Sequence, residues 1–203
     1  AQIKMWMLTG DKMETAKVIA RSSRLLAFGQ ELEELSIKNK RDAYHKLDIL
    51  YGNTGRDQLA LIIDGKSLDI YMNSNDIHLR QQFLEFVIEC DVVINCRCSP
   101  TQKAEMVEAV QMMTNKICLA IGDGGNDVSM ILAANVGVGI VGVEGQQAAL
   151  SADFSIYKFE YLINLLLWHG RLAYKNTSLL SQFVIHRGLI IAFITVFFNI
   201  CFY

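Results

Sequence analysis

The chain has 203 residues, of which 52% are hydrophobic and 20% are charged, and its formal net charge is -2. This apolar content is enough to offset the entropy of ordering a chain, which excludes an intrinsically disordered protein. The near-neutral charge, with no stripe of Lys and Arg, provides no electrostatic footprint for nucleic acid, so we expect no nucleic-acid partner.

The first residues lack the pattern of a secretory signal peptide, because no basic flank precedes a long apolar run and a small-residue cleavage site. The chain also begins with Ala1 rather than with an initiator methionine. We therefore expect it to be an internal segment of a longer polypeptide.

Short apolar runs recur at intervals that leave room for a helix between them, which is typical of a parallel α/β sheet with strands buried on both faces. The predicted strands are residues 4–8, 60–63, 91–95, 117–121, 136–140 and 154–157. The predicted helices are residues 12–26, 75–90, 101–114, 126–134 and 145–150. Residues 41–56 are polar and rich in turn residues, and we assign them no function.

The first predicted strand ends in Thr9-Gly10-Asp11, just before a predicted helix. A small hydroxyl and free backbone N–H groups at a helix start form an anion site suited to a phosphoryl group. Thr9 and Asp11 are equally typical of helix caps, and only their pairing with a later loop favours the phosphoryl site.

The five cysteines are odd in number and lie mostly inside apolar runs (Cys90, Cys96, Cys98, Cys118 and Cys201). One residue separates Cys96 from Cys98, whereas two separate the paired ligands of a typical zinc site, and no second pair or nearby His completes a ligand set. We therefore predict reduced, buried thiols rather than metal ligands.

Pro100, the only proline, fits the opening of a helix, where its missing N–H costs nothing. Lys103 then lies in the first turn of that helix, near the carboxyl edge of the sheet. Its ammonium there could neutralise a phosphoryl oxygen. The alternative is a solvated surface lysine.

The strongest local signal is the turn Gly122-Asp123-Gly124-Gly125-Asn126-Asp127, which follows a buried strand. Open parallel sheets place ligands at such carboxyl ends, and glycines permit a bulky anion to approach closely. Asp123 and Asp127 have no adjacent Lys or Arg, so a divalent cation is expected to neutralise them, and oxygen ligands suit Mg²⁺. The alternative is a turn that serves as a helix N-cap.

The composition changes after Tyr157. Residues 159–182 have the pattern of an amphipathic helix and predict a stalk. Residues 189–203 carry no charge, but fifteen residues span only about 22 Å of helix, short of a bilayer core of about 30 Å. Extension back to Leu179 gives about 37 Å, with His186 and Arg187 able to snorkel. We predict a transmembrane helix at 183–203; the alternative is a buried C-terminal helix of a soluble domain.

Together, the three loops resemble the second, third and fourth motifs of the haloacid dehalogenase superfamily. Within it, TGDKxETA from Thr9, PxQKA from Pro100 and the trailing His-Gly-Arg helix are similar to P-type ATPases. Three further strings resemble the lipid-flippase branch of these ATPases: IIDGKSL, CRCSPTQKAE and VEGQQA. The resemblance covers about Met5 to Tyr203. It implies a partial phosphorylation domain at 1–158, with a Rossmann-like parallel sheet of the haloacid dehalogenase type.

The resemblance also implies roles in phosphoryl transfer. Thr9, Gly10 and Asp11 would hold the transferred phosphoryl group and Lys103 would contact its oxygens, so these four are the expected catalytic residues. Arg97, six residues before Lys103, would reach toward the nucleotide. The implied nucleotide is ATP.

A magnesium site is implied in the same way. Asp123 and Asp127 would be the metal ligands, and Asn126 would complete the site together with Asp127. Phosphoryl transfer depends more on positioning and charge neutralisation than on covalent assistance, which suits this set of residues.

Several family elements do not occur in the sequence: the Asp-Lys-Thr-Gly-Thr loop of the phosphorylated aspartate, the Asp-Gly-Glu-Thr loop of the actuator domain and a nucleotide-binding domain. We therefore expect a fragment that is inactive alone and that depends on the remainder of its polypeptide. The parent protein would use ATP hydrolysis to move phospholipid across a membrane. The alternatives are a truncated, Mg²⁺-binding regulatory product and a soluble phosphatase of the same superfamily.

The His186-Arg187-Gly188 entry to the last helix is similar to a flippase subgroup of Golgi and endosomal membranes that works without the usual accessory subunit. This implies an integral membrane protein of the Golgi, trans-Golgi network or endosome with residues 1–182 in the cytosol. Residues 192–203 fit that subgroup poorly.

Overall fold

The computed structural model describes residues 3–27, 29–30, 32–37, 39–52, 59–74, 76–142 and 146–202. The chain divides into two compact units, residues 1–155 and 156–203. The described strands are β1 (Met5–Leu8), β2 (Leu32–Leu35), β3 (Ala60–Asp64), β4 (Val92–Cys96), β5 (Leu119–Gly122), β6 (Val136–Ile140) and β7 (Phe154–Ile156).

Helices alternate with these strands. The described helices are α1 (Met13–Ser22), α2 (Lys40–Gly52), α3 (Gly65–Met72), α4 (Ile77–Glu89), α5 (Pro100–Thr114), α6 (Val128–Ala133), α7 (Gln147–Ser151), α8 (Tyr161–Ile163) and α9 (Arg171–Phe202). A single 3-10 turn covers Gly125–Asp127, directly before α6, and a π-helical segment, Asn164–Gly170, joins α8 to α9.

The strands form two sheets. One has the order β1-β4-β3-β2 with every neighbouring pair parallel, and the other has the order β5-β6-β7 with β5 and β6 parallel. In the first sheet Leu8 is the register partner of Asn95, so the loops after β1 and β4 begin side by side. A parallel α/β architecture with a helix between strands is thus confirmed.

The hydrophobic core lies on both faces of the four-stranded sheet. Leu61, Ile63 and Val93 point into one cluster, which helices α2 to α5 cover. Ile62 and Ile94 point into a second cluster, which α1 covers. The central strands β3 and β4 are therefore buried on both faces, as expected of parallel strands between two helical layers.

The predicted strands are confirmed: the bounds of 136–140 are identical and those of the other five differ by one or two residues. Burial on both faces was predicted for every strand and is wrong at the edges: Met5 of β1 is 61% exposed and Phe154 of β7 is 50% exposed. The starts of two predicted helices, at residues 75 and 145, lie outside the described residues.

Residues 41–56 are not simply a polar, turn-rich stretch. Most of them form α2, and Ala43, Leu47 and Leu50 are its buried side chains. The spacing of four and three residues places these three on one face, and that face packs on the core even though the rest of the helix is polar. Residues 53–58, which contain part of the turn signal, lie outside the described residues.

The second unit is helical. Its helix from Tyr161 to Phe202 is 42 residues long, with a mean hydropathy of 2.0 over its most apolar window, which is long and apolar enough to cross a membrane. None of that window is buried in protein. The described helix thus lacks the burial that the alternative of a soluble-domain helix predicts. The proposed division into a stalk at 159–182 and a membrane helix at 183–203 stays a prediction.

Candidate phosphoryl and magnesium site

The loop after β1 closes on itself through Thr9 and Asp11. The Asp11 N–H donates to Thr9 Oγ1 at 3.1 Å, and the Thr9 hydroxyl donates to Asp11 Oδ2 at 3.1 Å. The Thr9 N–H donates to the Asn95 carbonyl at 2.8 Å, which continues the pairing of β1 with β4 beyond the last strand residue. The loop is thus fixed at the carboxyl end of the sheet, as predicted for Thr9, Gly10 and Asp11.

The loop after β4 is joined to the same place. Backbone N–H groups of Arg97 and Cys98 donate to the carbonyls of Asp11 (2.9 Å) and Thr9 (3.0 Å). Arg97 has a φ of 53°, the left-handed conformation that side-chain-bearing residues rarely adopt. This backbone geometry brings Arg97 beside the Thr9 loop, and such conformations cluster at ligand sites.

A polar cleft of about 380 Å³ lies beside Arg97. Its lining includes two basic and two acidic side chains: Lys66, Arg97, Asp69 and Glu105. These four side chains together carry no formal net charge. The nucleotide role implied for Arg97 stays a prediction.

Helix α5 begins at this edge with a strong start signal. Ser99 Oγ accepts from the Gln102 N–H at 3.2 Å, and Gln102 Oε1 accepts from the Ser99 N–H at 2.9 Å, with Pro100 at the first helical position. This capping box fixes the first turn of the helix and with it Lys103.

Sequence reasoning missed a second function of Gln102. Its Nε2 donates to the Gly65 carbonyl at 2.9 Å and to Asp69 Oδ1 at 2.7 Å, which connects α5 to α3. The Ser-x-x-Gln spacing could have identified the capping box, but no sequence pattern indicated the contact with α3.

Lys103 is not a solvated surface lysine, since only 6% of the residue is exposed. Its Nζ donates to Asp127 Oδ1 at 2.7 Å. The Ser129 hydroxyl also donates to the Pro100 carbonyl at 2.7 Å, so α6 is anchored to the start of α5. The lysine helix and the glycine-rich turn, which are two of the three predicted loops, therefore meet.

The glycine-rich turn is shaped by contacts that only glycine permits. A Cβ atom on Gly122 would lie 2.2 Å from Asp127 Cβ, so the Asp127 side chain lies directly on the backbone at the end of β5. Asp123 and Asn126 are exposed, and neither side chain has a hydrogen-bond partner within the described residues. Their oxygens are therefore accessible to a ligand.

The donor set is compatible with Mg²⁺ held jointly with a substrate. Asp123 offers a free carboxylate, whereas one oxygen of Asp127 already accepts from Lys103. No group of three or more His, Cys, Asp or Glu side chains converges anywhere in the described part of the chain. Mg²⁺ commonly uses one or two carboxylates plus phosphate oxygens and waters, which matches this open arrangement rather than a closed protein cage.

The site residues form two groups. Backbone hydrogen bonds join Thr9, Asp11 and Arg97, and an ion pair joins Lys103 to Asp127. Within residues 3–142, as far as they are described, no hydrogen bond or ion pair connects Thr9 or Asp11 with Lys103 or Asp127. Both groups lie at carboxyl ends of parallel strands, and a ligand could join them.

Three of the five cysteines are buried. Cys90, Cys96 and Cys98 are buried, as predicted, whereas Cys118 is half-buried and Cys201 is exposed. Burial raises the pKa of the Cys90 and Cys98 thiols to about 12, so both are protonated at neutral pH.

Several known proteins are similar in sequence to this chain. Residues 149–203 match the model of the family described as "Phospholipid-translocating P-type ATPase C-terminal". The chain is 48% identical to Phospholipid-transporting ATPase NEO1 of Saccharomyces cerevisiae, over 99% of this chain and 17% of that protein. It is 45% identical to human Probable phospholipid-transporting ATPase IIB, over 100% of this chain and 17% of that protein.

A more distant relative is Phospholipid-transporting ATPase 11C of Mus musculus, which is 39% identical over 93% of this chain and 19% of that protein. The chain thus spans less than a fifth of the length of these relatives. At 39–48% identity over 93–100% of its residues, the chain is thus similar to one segment of phospholipid-transporting ATPases.

Proposed function

We propose that the protein to which this chain contributes is a phospholipid-translocating ATPase. ATP phosphorylates an aspartate, and hydrolysis of the acyl phosphate is coupled to movement of phospholipid across a membrane. The observation that carries the proposal is 48% identity, over 99% of this chain, to a protein named as a phospholipid-transporting ATPase. The exposed apolar helix at Tyr161–Phe202 supports a membrane setting.

In this proposal the loop after β1 binds the transferred phosphoryl group. Gly10 would offer its backbone N–H close to the start of α1, where the helix dipole favours an anion. Asp11 holds the Thr9 hydroxyl in this loop, and a phosphoryl oxygen would replace the Asp11 carboxylate as the acceptor of that hydroxyl. The Lys103 ammonium contacts the phosphoryl oxygens, and the Arg97 guanidinium binds the nucleotide. These roles use charge neutralisation and orientation, which are the main requirements of phosphoryl transfer.

Asp123 and Asp127, together with Asn126, would hold Mg²⁺. The bound ion would neutralise charge on the phosphoryl oxygens. Lys103 orients Asp127 through their ion pair, and Gly122 permits the Asp127 side chain to lie against β5. Asp123 is the carboxylate left free to bind the cation.

The acceptor aspartate would come from another segment of the polypeptide. In the described residues β1 pairs only with β4, and β5 only with β6, so each has one unpaired edge. Both strands, Met-Trp-Met-Leu and Leu-Ala-Ile-Gly, lack charge, whereas the outer strand β2 is Leu-Glu-Glu-Leu. Charged residues protect true edge strands, and uncharged apolar strands are typical of sheet interiors.

A further strand paired with β1 or β5 would therefore complete the sheet. Its carboxyl end would lie beside the loops that hold Thr9 and Asp123, where an acceptor aspartate is needed. The proposal accordingly makes the isolated chain inactive and assigns the nucleotide-binding and actuator functions to the remainder of the protein.

The finer location is part of the proposal. We place the parent protein in Golgi, trans-Golgi network or endosomal membranes, without an accessory subunit and with residues 1–182 in the cytosol. The support is the resemblance of His186-Arg187-Gly188 to that flippase subgroup. Imaging of the tagged full-length protein would test the location, and residence at the plasma membrane would contradict it.

Phosphoenzyme formation tests the site. In the full-length protein, Asp123→Asn removes the free carboxylate charge, so we expect phosphoenzyme from radiolabelled ATP to fall to background. Asp48→Asn on the exposed surface of α2 is the matched control and should retain the wild-type level. Near-normal phosphoenzyme in Asp123→Asn would refute the magnesium assignment.

A further inference from the structure

A π-helical segment interrupts the long helix of the second unit. That helix runs without a break from Tyr161 to Phe202, but the seven residues Asn164–Gly170 are π-helical, and the residues on either side are α-helical. A π turn closes its hydrogen bonds five residues apart, whereas an α turn closes them four apart. The π-helix is rare in proteins and appears frequently at functional sites.

The backbone at Gly170 shows the wider turn. A Cβ atom on Gly170 would lie 3.4 Å from the carbonyl oxygen of Leu165, five residues earlier. Hydrogen bonds that span five residues place the carbonyl five residues earlier beneath each residue. The end of the segment therefore has the geometry that its hydrogen-bond pattern requires.

The wider turn changes the rotation along the helix. Seven residues of α-helix make about 1.9 turns, whereas seven residues at about 4.4 per turn, the π-helical value, make about 1.6 turns. The residues on the two sides of the segment are thus rotated by about a third of a turn relative to an uninterrupted α-helix. Six residues of α-helix make about 1.7 turns. The segment is therefore close in rotation to an α-helix that is one residue shorter.

This rotation matters because α9 has a polar side. Residues three or four positions apart share one side of an α-helix, and polar side chains recur at these intervals from the start of α9 (Arg171, Lys175, Ser178, Gln182 and His186). In an uninterrupted α-helix Asn164, seven residues before Arg171, would extend this polar side. The π-helical segment instead turns Asn164 away from it by about a third of a turn.

We propose that Asn164–Gly170 sets the rotational phase of α9. The segment holds one residue more than the α-helix that it replaces, and it thereby fixes the direction of the polar side of α9 relative to Tyr161–Ile163. Polar groups in a membrane helix face a protein interior or a water-filled cavity rather than lipid. In the transporter proposed above, on which the transport readout rests, the segment thus decides which side of the membrane helix carries polar groups.

Deletion of a single residue tests this phase in the full-length protein. Deletion of Leu166 from the run Leu165–Leu167 leaves six residues, which can close as regular α-helix with almost the same rotation. Movement of a fluorescent phospholipid in reconstituted vesicles should therefore stay within about threefold of the wild-type rate. Leu166→Ala keeps the length of the segment and should also retain transport.

Deletion of Thr177 is the matched control, because it removes one residue from α9 itself. No wide turn absorbs that loss, so the residues before and after position 177 rotate by about 100° relative to each other. Such a misplacement should lower lipid movement at least about tenfold.

The melting temperature of the full-length protein is a second readout, which does not depend on transport. The Leu166 deletion should melt within about 3 °C of the wild-type protein. The Thr177 deletion should melt lower, because it misaligns one side of the helix with its neighbours.

The outcomes separate this inference from the proposed function. A Leu166 deletion that is absent from the membrane fraction, or that is as impaired as the Thr177 deletion, would overturn the role of the segment. A Thr177 deletion with wild-type transport and melting temperature would also overturn it. If the wild-type protein moves no lipid, the proposed function fails, and the melting temperatures alone decide on the phase. If the wild-type protein moves lipid and the two deletions are equally impaired, only the role of the segment fails.

Discussion

Lys103 pairs with Asp127 in the structure and, in the proposed reaction, also contacts a phosphoryl oxygen. Its ammonium lies 2.7 Å from Asp127, and only 8% and 14% of the two side chains are exposed. When one member of such a sheltered pair is removed, the other remains as an uncompensated charge. Substitution of Lys103 therefore disturbs Asp127 as well as any phosphoryl oxygen, and a variant that keeps the charge is needed to separate the two.

Lys103→Ala should lower the rate of phosphoenzyme formation about 10²- to 10³-fold, the loss typical of removing one group that stabilises developing charge. ATP affinity should change far less, because the proposed contact is with the transferred phosphoryl group. Single-turnover phosphorylation and equilibrium nucleotide binding measure the two effects. Lys103→Arg should recover part of the rate, and equal losses of rate and affinity in Lys103→Ala would show that the role is misassigned.

The buried cysteines should be chemically inert. Burial raises the pKa of Cys90 and Cys98 to about 12, so the reactive thiolate is scarce at pH 8. Reaction with a maleimide, mapped by mass spectrometry, should leave both unmodified in the folded full-length protein and modify both after denaturation. Rapid labelling of Cys90 or Cys98 in the folded protein would contradict the core that contains them.

At the level of elements, the sequence was most informative where one local signal dominated. Helix α5 was predicted almost residue for residue, because Pro100 and the Thr101–Thr114 pattern mark its limits. Helix α3 was missed since it begins directly after β3, without a linker, through a cap in which Asp64 accepts from the Ser67 N–H. Strand β2 was missed because its two glutamates interrupt the apolar run by which strands were predicted.

The site residues also divide into those that a local sequence signal predicts and those that only the fold brings together. The carboxyl-end loops and their residues followed from strand ends and glycine spacing. The Lys103–Asp127 ion pair did not, because it joins residues that lie 24 positions apart. Only tertiary packing brings such residues together, and no local pattern encodes it.

Alanine should have different effects on stability at two glycines, because one of them is closely packed and the other is not. A Cβ atom on Gly65 would lie 2.4 Å from the Arg97 carbonyl oxygen, a backbone atom that cannot easily move. Among the described residues, which omit 53–58, nothing lies within 4 Å of a Cβ atom on Gly52. Gly65→Ala should therefore destabilise by about 1–3 kcal/mol or more. Gly52→Ala, in α2, should be neutral or slightly stabilising.

Thermal denaturation of the two full-length variants measures this difference. Equal melting temperatures for Gly65→Ala and Gly52→Ala would show that the start of α3 is not packed against the loop after β4.

At the level of the whole molecule, the apolar helix should anchor the chain in a membrane. Its apolar window is wholly unburied, and a soluble protein would expose that surface as an aggregation-prone patch. The expressed chain should stay in the membrane pellet after carbonate extraction. A variant with Phe193→Lys and Phe197→Lys should shift toward the supernatant, because charges are costly in the bilayer core. Release of the unmodified chain by carbonate would contradict a spanning helix.

In the described residues β1 and β5 each have one unpaired edge, and the proposed function assigns a strand from the rest of the protein to one of them. The purified chain should show no Mg²⁺-dependent ATP hydrolysis above a heat-denatured sample, because the acceptor aspartate is proposed to lie in another segment. Sustained ATP turnover by the chain alone would instead favour a self-sufficient phosphatase.

The most direct test of the account is lipid movement by the full-length protein reconstituted into vesicles that contain a fluorescent phospholipid. With ATP and Mg²⁺ present, the wild-type protein should move the lipid between leaflets, and Asp123→Asn should move none above the rate of empty vesicles. ATP-dependent translocation by Asp123→Asn at the wild-type rate would contradict the claim that the glycine-rich turn holds the magnesium ion on which transport depends.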